Sequence, residues 1–191
     1  MTPTHLPGRV AIPALPEQSR TAPVPAPPEG FNSASREDAV HLLLSCLGSL
    51  RWAHRVADHR PYPTVDALLA ASDEAAYDLT REDLAEALTG EPLPSLPEDA
   101  YEAAHLALDA AHAAYEARFG HVFVICLDGV PPHEALDRVL EAIRSRLTND
   151  PEDERVQTAE EVRRLARERL ATRLRAAENR ATSHITSADG G

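Results

Sequence analysis

Ser95 and Glu98 stand three residues apart, where the proline-rich stretch Gly90-Glu91-Pro92-Leu93-Pro94-Ser95-Leu96-Pro97 runs into an alanine-rich segment. This spacing supports two kinds of chemistry. Ser-x-x-Glu is the capping box, in which hydroxyl and carboxylate satisfy backbone donors at a helix start and need no further role. The same helix start offers spare N–H groups to an anionic ligand, with the Glu98 carboxylate beside it for proton transfer. The motif alone leaves both readings open. Two more carboxylates, Glu91 and Asp99, lie on either side of it. Downstream, the apolar run Phe123-Val124-Ile125-Cys126-Leu127 comes soon after Gly120. It is too short for a core helix and too apolar for a surface loop, so it reads as a buried extended segment able to line a ligand pocket.

Other chemistries find little support. The nine histidines are scattered, with no HExxH and no Cys/His cluster, so no metal site is expected. His54 and His59 are five residues apart and share a helix face poorly; His105 and His112 are seven apart and could share one, but lack further ligands. No phosphate-binding glycine loop or nucleophile elbow occurs, so no nucleotide cofactor is expected. Cys46 and Cys126 lie far apart without CxxC spacing and read as small core residues of a reducing compartment.

The elements that must position these residues read as helices. Ser35 is an N-cap before Val40, Leu43, Leu44, Leu47 and Leu50, a run expected to continue through Trp52 and Val56 until Arg60-Pro61 stops it. A short helix follows Thr64, and Thr80 with Asp83 caps another to Leu88. Pro97 and Glu98 open a long helix that ends at Phe119, with Gly120 at its C-cap. After a turn at 128–133, Leu136, Val139, Leu140, Ile143 and Leu147 mark one helix; Val162, Leu165, Ala166, Leu170 and Leu174 mark the last. The expectation is an all-α, single-domain bundle of about seven helices with one short buried extended segment at 122–127.

Residues 1–30 hold eight of the 16 prolines and read as a disordered tail; 31–175 form the domain, and 176–191 read as a frayed C-terminal tail. The net charge of −12 comes from 19 arginines, with no lysine, against 31 acidic residues. That balance argues against nucleic acid as the main partner. No apolar run of about 18 residues is present to cross a membrane, and the N-terminus lacks a signal-peptide pattern, so a cytoplasmic protein is expected.

From Phe31 to about Leu174 the order of landmarks resembles the 2-oxo-4-hydroxy-4-carboxy-5-ureidoimidazoline (OHCU) decarboxylases of urate breakdown. Phe31-Asn32 opens the domain. Cys46-Leu47-Gly48-Ser49 leads into Arg51-Trp52-Ala53 and Arg60-Pro61-Tyr62, similar to the family's Trp-Ala and Arg-Pro-Phe. Ser95-Leu96-Pro97-Glu98-Asp99 resembles its Ser-x-x-Glu-Gln, and Tyr115 through Arg118-Phe119-Gly120 to Phe123-Val124-Ile125 its Tyr-x-x-Arg-Phe-Gly-Phe-x-Phe-Val-Ile. Arg146-Leu147 and Arg169-Leu170 match two C-terminal Arg-Leu pairs.

The resemblance implies an all-helical, often dimeric enzyme without cofactor that decarboxylates OHCU, a small anionic ureidoimidazoline, to (S)-allantoin. Carried onto this sequence, it makes Glu98 catalytic and gives substrate-binding roles to Glu91, Ser95, Asp99, Phe123, Val124, Ile125, Cys126 and Leu127. The family's catalytic histidine motif, His-Pro-Arg-Ile-Gly, is missing. Gly90 stands at the histidine position, Glu91 at the proline position and Asp99 at that of the family's glutamine. His121 and His105 are the candidates, by position, to replace the lost histidine. A carboxylate substrate would meet added negative charge here, at a cost of about 1 kcal/mol per like charge at 4 Å in water and more in a drier site. A diverged member that kept the fold and binds small molecules or partners is the alternative expectation.

Overall fold

The computed structural model describes residues 28–94 and 102–188. Eight helices lie among them: α1 (Glu29–Ser33), α2 (Arg36–Leu44), α3 (Leu50–Asp58), α4 (Val65–Tyr77), α5 (Arg81–Thr89), α6 (Glu102–Phe119), α7 (Ala135–Arg146) and α8 (Pro151–Ala188). The all-α expectation holds, with one helix more than the reading of about seven.

The expected caps form. Ser35 accepts from the Asp38 amide, Thr64 from the Ala67 amide, and Thr80 with Asp83 closes a complete capping box on α5. Gly120 ends α6 with φ +76°, the left-handed conformation that a Cβ disfavours. The helix start expected at Pro97-Glu98 lies outside the described residues, among which α6 begins at Glu102.

Two expectations need correction. The helix foreseen from Ser35 to Arg60 is two helices, broken at residues 45–49. Ser49 takes extended backbone and accepts from the Trp52 amide, so it starts α3 afresh. The apolar spacing hid this break because Leu43 before it and Cys46 and Leu47 within it are all buried. The second correction concerns α8, which continues through 176–188, the stretch read as frayed. Its Arg, Ala and Glu residues are helix formers, and no proline or glycine interrupts them before Gly190. α8 also starts on a signal that apolar spacing does not reveal: the Asp150 carboxylate accepts from the Glu152 and Asp153 amides, with Pro151 at the first helical position.

The core has two parts. α1 to α5 pack with α8 around Trp52, Leu43, Leu68, Val162, Ala166 and Leu170. Trp52 is fully buried and donates its indole N–H to the Ser72 carbonyl at 3.0 Å, tying α3 to α4. A second cluster, Leu108, Tyr115, Phe123, Val139 and Ile143, joins α6, α7 and the extended segment. Two of the sequence landmarks meet each other: Asn32 and Tyr62 exchange hydrogen bonds at 2.8 and 2.9 Å, and Arg60 donates to the Phe31 and Ala34 carbonyls. They fasten α1 to the α3–α4 turn, a structural use of residues that sequence order alone could not assign.

Candidate functional site

The break between α2 and α3 opens one wall of a cleft. Residues Leu44 to Gly48 face the end of α5 and its following loop, Gly90 to Pro92, with Glu168, Arg169, Thr172 and Arg173 of α8 closing the third side. The cavity is about 570 Å³, within the range that holds a small molecule. A second hollow of about 410 Å³ shares Glu91, Pro92, Glu168 and Arg169 with it and reaches Val124, Ile125 and Leu127 of the extended segment. The two hollows meet at Arg169.

Arg169 is held in a fixed pose. It flanks the buried stripe Val162, Ala166, Leu170 and Leu174, so the docking of α8 sets its direction. Its Nη1 donates to the Cys46 carbonyl at 3.0 Å and to Glu91 Oε1 at 2.7 Å; Nη2 donates to Glu91 Oε2 at 2.8 Å. The Glu91 side chain is 5% exposed and that of Arg169 is 30% exposed. The Glu91 hydrogen bonds raise the Arg169 guanidinium above its ordinary range, so it stays charged. Gly90 sits at the C-cap of α5, and the Glu91 amide bonds the Leu88 carbonyl at 3.3 Å, which turns Glu91 toward α8.

Both thiols are held toward the protonated form. Burial pushes the Cys46 thiol up, and Cys46 is 1% exposed. Burial also raises Cys126, helped by the carboxylates of Glu168, Glu161 and Asp128. Thiolates do the chemistry of cysteine, and both groups are held away from that form.

The segment 122–127 is less buried than expected: Phe123 and Val124 are buried, while Val122 and the residues from Ile125 to Leu127 are intermediate, Ile125 and Leu127 bordering the open hollow. Its backbone finds partners in side chains. The Cys126 amide donates to Glu161 at 2.8 Å, and the Val124 carbonyl accepts from Arg146 Nη1 at 2.7 Å. Arg146 also donates to Glu154 and Thr158, and lies 4.7 Å over the Phe123 ring. Tyr115 donates to Glu154, and Asn149 donates to its other oxygen at 2.8 Å. Burial alone would raise the Glu154 carboxyl, but the Arg146 and Tyr115 hydrogen bonds outweigh it and hold it below the usual range.

The sequence-predicted residues are therefore partly assembled. Glu91 reaches the cleft, and Val124, Ile125 and Leu127 line its extension. Phe123 points into the second core cluster instead. Cys126 lines a neighbouring hollow with Arg163, Arg164 and Arg167. Ser95, Glu98 and Asp99 lie outside the described residues. His121 lines a different cavity with Leu88, Thr89 and Glu116, on another face of α5, and packs edge-on against Tyr115. His105 is half-buried on α6 and is not among the residues of the Arg169 cleft. Sequence reasoning missed Arg169 and the Cys46 carbonyl as site groups. Sequence order marks Arg169-Leu170 only as a landmark; an arginine bordering a buried helix stripe is the signal that points to it.

The whole assembly matches known proteins. The family model for OHCU decarboxylase matches residues 32–95 and 95–171. No curated protein matches the chain in sequence. Among solved structures, a crystal structure of (S)-allantoin synthase superposes with TM-score 0.62 at 21% identity, covering 78% of this chain and 53% of the synthase, so the chain spans about half that protein's length. A crystal structure of OHCU decarboxylase in the presence of (S)-allantoin gives TM-score 0.62 at 21% identity, over 74% of this chain and 99% of the other. At that identity the likeness is one of fold. With the family model spanning both the cleft and the core that builds it, the chain belongs to the OHCU decarboxylase family.

Proposed function

We propose that this protein decarboxylates OHCU to (S)-allantoin. The observation that carries this reading is Arg169, a fixed guanidinium lining a small-molecule cleft inside the region matched by the family model. A guanidinium binds a carboxylate through two parallel N–H bonds, which orients it as well as neutralising it. In the proposed reaction the bond from the ring carbon to the carboxylate breaks and CO2 leaves. The electron pair stays on the carbon, which then takes a proton from one face. Glu98 is assigned the proton handling, and Ser95 and Asp99 contacts to the ureido groups, on the sequence motif. The cytoplasm is the proposed setting, consistent with two unpaired cysteines, and a homodimer belongs to the same reading.

A second reading is favoured by one contact. Glu91 already supplies Arg169 with a carboxylate, and Gly90 stands where the family has its catalytic histidine. Loss of such an acid/base group commonly costs about 10²–10⁴ in rate. A diverged member that binds a small molecule without turning it over would have this site.

One assay separates the readings. Freshly generated OHCU is presented to the protein and (S)-allantoin is followed by circular dichroism. A decarboxylase produces the chiral signal faster than the spontaneous reaction, and Glu98→Ala abolishes the excess. A rate equal to the spontaneous one excludes the enzyme reading. Activity that survives Glu98→Ala removes Glu98 from the site.

A further inference from the structure

We propose that Glu91 is a proton donor in the decarboxylation and that the substrate itself loads it: the incoming carboxylate takes Arg169 from Glu91, and Glu91 takes up a proton that it later passes to the ring. The assignment rests on the decarboxylase reading, with Arg169 as the carboxylate anchor. Glu91 meets Arg169 through both carboxylate oxygens, at 2.7 and 2.8 Å. A substrate carboxylate would use the same two-bond geometry, so the two carboxylates compete for one guanidinium. Arg169 can change partners without leaving its place. Its Nη1 is also tied to the Cys46 carbonyl at 3.0 Å, and its side chain is 30% exposed to the cavity.

The exchange changes what Glu91 can be. Its side chain is 5% exposed, so its charge depends on Arg169 rather than on water. The groups around it offer little replacement. Glu168 and Asp128 on the adjoining walls are carboxylates themselves, Cys46 is a buried thiol, and Arg173 is exposed to solvent, which screens its charge. Once the substrate holds Arg169, Glu91 lies beside a second carboxylate with little water, and a carboxylate so placed takes a proton. The neutral carboxyl has room to turn: a Cβ built on the preceding Gly90 would meet nothing within 4 Å, and Glu91 borders the second hollow as well as the first. The cycle balances. Binding brings one proton from solvent onto Glu91. The carbon–carboxylate bond breaks, CO2 leaves, and the electron pair left on the ring takes the Glu91 proton. The product has no carboxylate, so the Glu91 carboxylate regains Arg169. Glu98 keeps the proton transfers within the substrate, which add no net proton; Glu91 supplies the one that replaces CO2.

The test uses the full chain and reads the proton and the turnover separately. Hydantoin-5-acetate, a carboxylated ureide that is not turned over, and neutral hydantoin are titrated calorimetrically near neutral pH in buffers of different ionisation enthalpy. Hydantoin-5-acetate should bring a net uptake approaching one proton into wild type and none into Glu91→Gln, and hydantoin none into either. With freshly generated OHCU, Glu91→Gln should lose about 10²–10⁴ in kcat. Its KM should be unchanged or lower, because the amide competes less for Arg169. Glu91→Asp keeps a carboxyl and should keep the proton uptake and part of the turnover. Uptake that persists in a folded Glu91→Gln overturns the proposal, as does turnover in that variant within about threefold of an active wild type. Absence of uptake in Glu91→Asp overturns it too, which covers a Glu91→Gln that fails to fold. An active wild type that takes up no proton fails this proposal alone. A wild type that takes up the proton but leaves OHCU at its spontaneous rate fails the decarboxylase reading, and the donor role falls with it.

Discussion

Two of the arginine–glutamate pairs in this small domain are built for opposite purposes. Arg146 and Glu154 are 2% and 0% exposed in their side chains. Their remaining hydrogen-bonding groups are consumed by Thr158, Tyr115, Asn149 and the Val124 carbonyl. Arg169 and Glu91 use the same ions, but the arginine keeps an open side toward a cavity. A saturated pair can only hold structure in place. A pair with an open side can exchange partners with a ligand. Burial and residual valence, rather than residue type, separate a clamp from a site.

The largest expected effect tests the clamp. Glu154→Ala should cost about 3–5 kcal/mol in urea denaturation, because it leaves the Arg146 charge buried without a counter-ion. A double-mutant cycle on Arg146 and Glu154 should give a coupling of about 2–3 kcal/mol, whereas the same cycle on Arg169 and Glu91 should stay below about 1 kcal/mol. Equal couplings would erase the distinction drawn between the pairs.

Acid should release the clamp. The folded-state pKa of Glu154 is lowered, so its contribution is fully present above the unfolded carboxylate value of about 4.3 and is lost as pH falls through the depressed folded value. Stability measured from pH 6 downward should therefore decline more steeply in wild type than in Glu154→Gln. At the cleft, Glu91→Ala should cost under about 2 kcal/mol, since water can reach the freed guanidinium through the cavity. Ser49→Ala removes the cap that restarts α3 and should cost about 1 kcal/mol in thermal or urea unfolding.

Much of the scaffold was legible in the sequence because its signals are local. Ser35, Thr64 and Thr80 each bond an amide three residues on, and Gly120 takes a conformation that its own residue type permits. The break at 45–49 was not legible, because buried Cys46 and Leu47 keep the apolar pattern running across it. The site was legible in part. Glu91 could be flagged from its place after α5, but its partner lies 78 residues away. No spacing rule reaches that far. The segment 122–127 stood out for its apolar run, and only the tertiary structure distinguishes Phe123, which packs inward, from Ile125 and Leu127, which meet the cavity.

The span of the Arg169 contacts has a kinetic consequence. The Cys46 carbonyl and Arg169 are 123 residues apart in the chain, so the cleft closes one of the longest loops in the domain. Contacts of such separation cost loop-closure entropy before they return any stabilisation, and they slow folding. The three walls come from the first third, the middle and the end of the domain, and none alone forms a seat. Ligand affinity for this cleft should therefore appear only once α8 has docked, making a bound ligand a reporter of the last step of assembly.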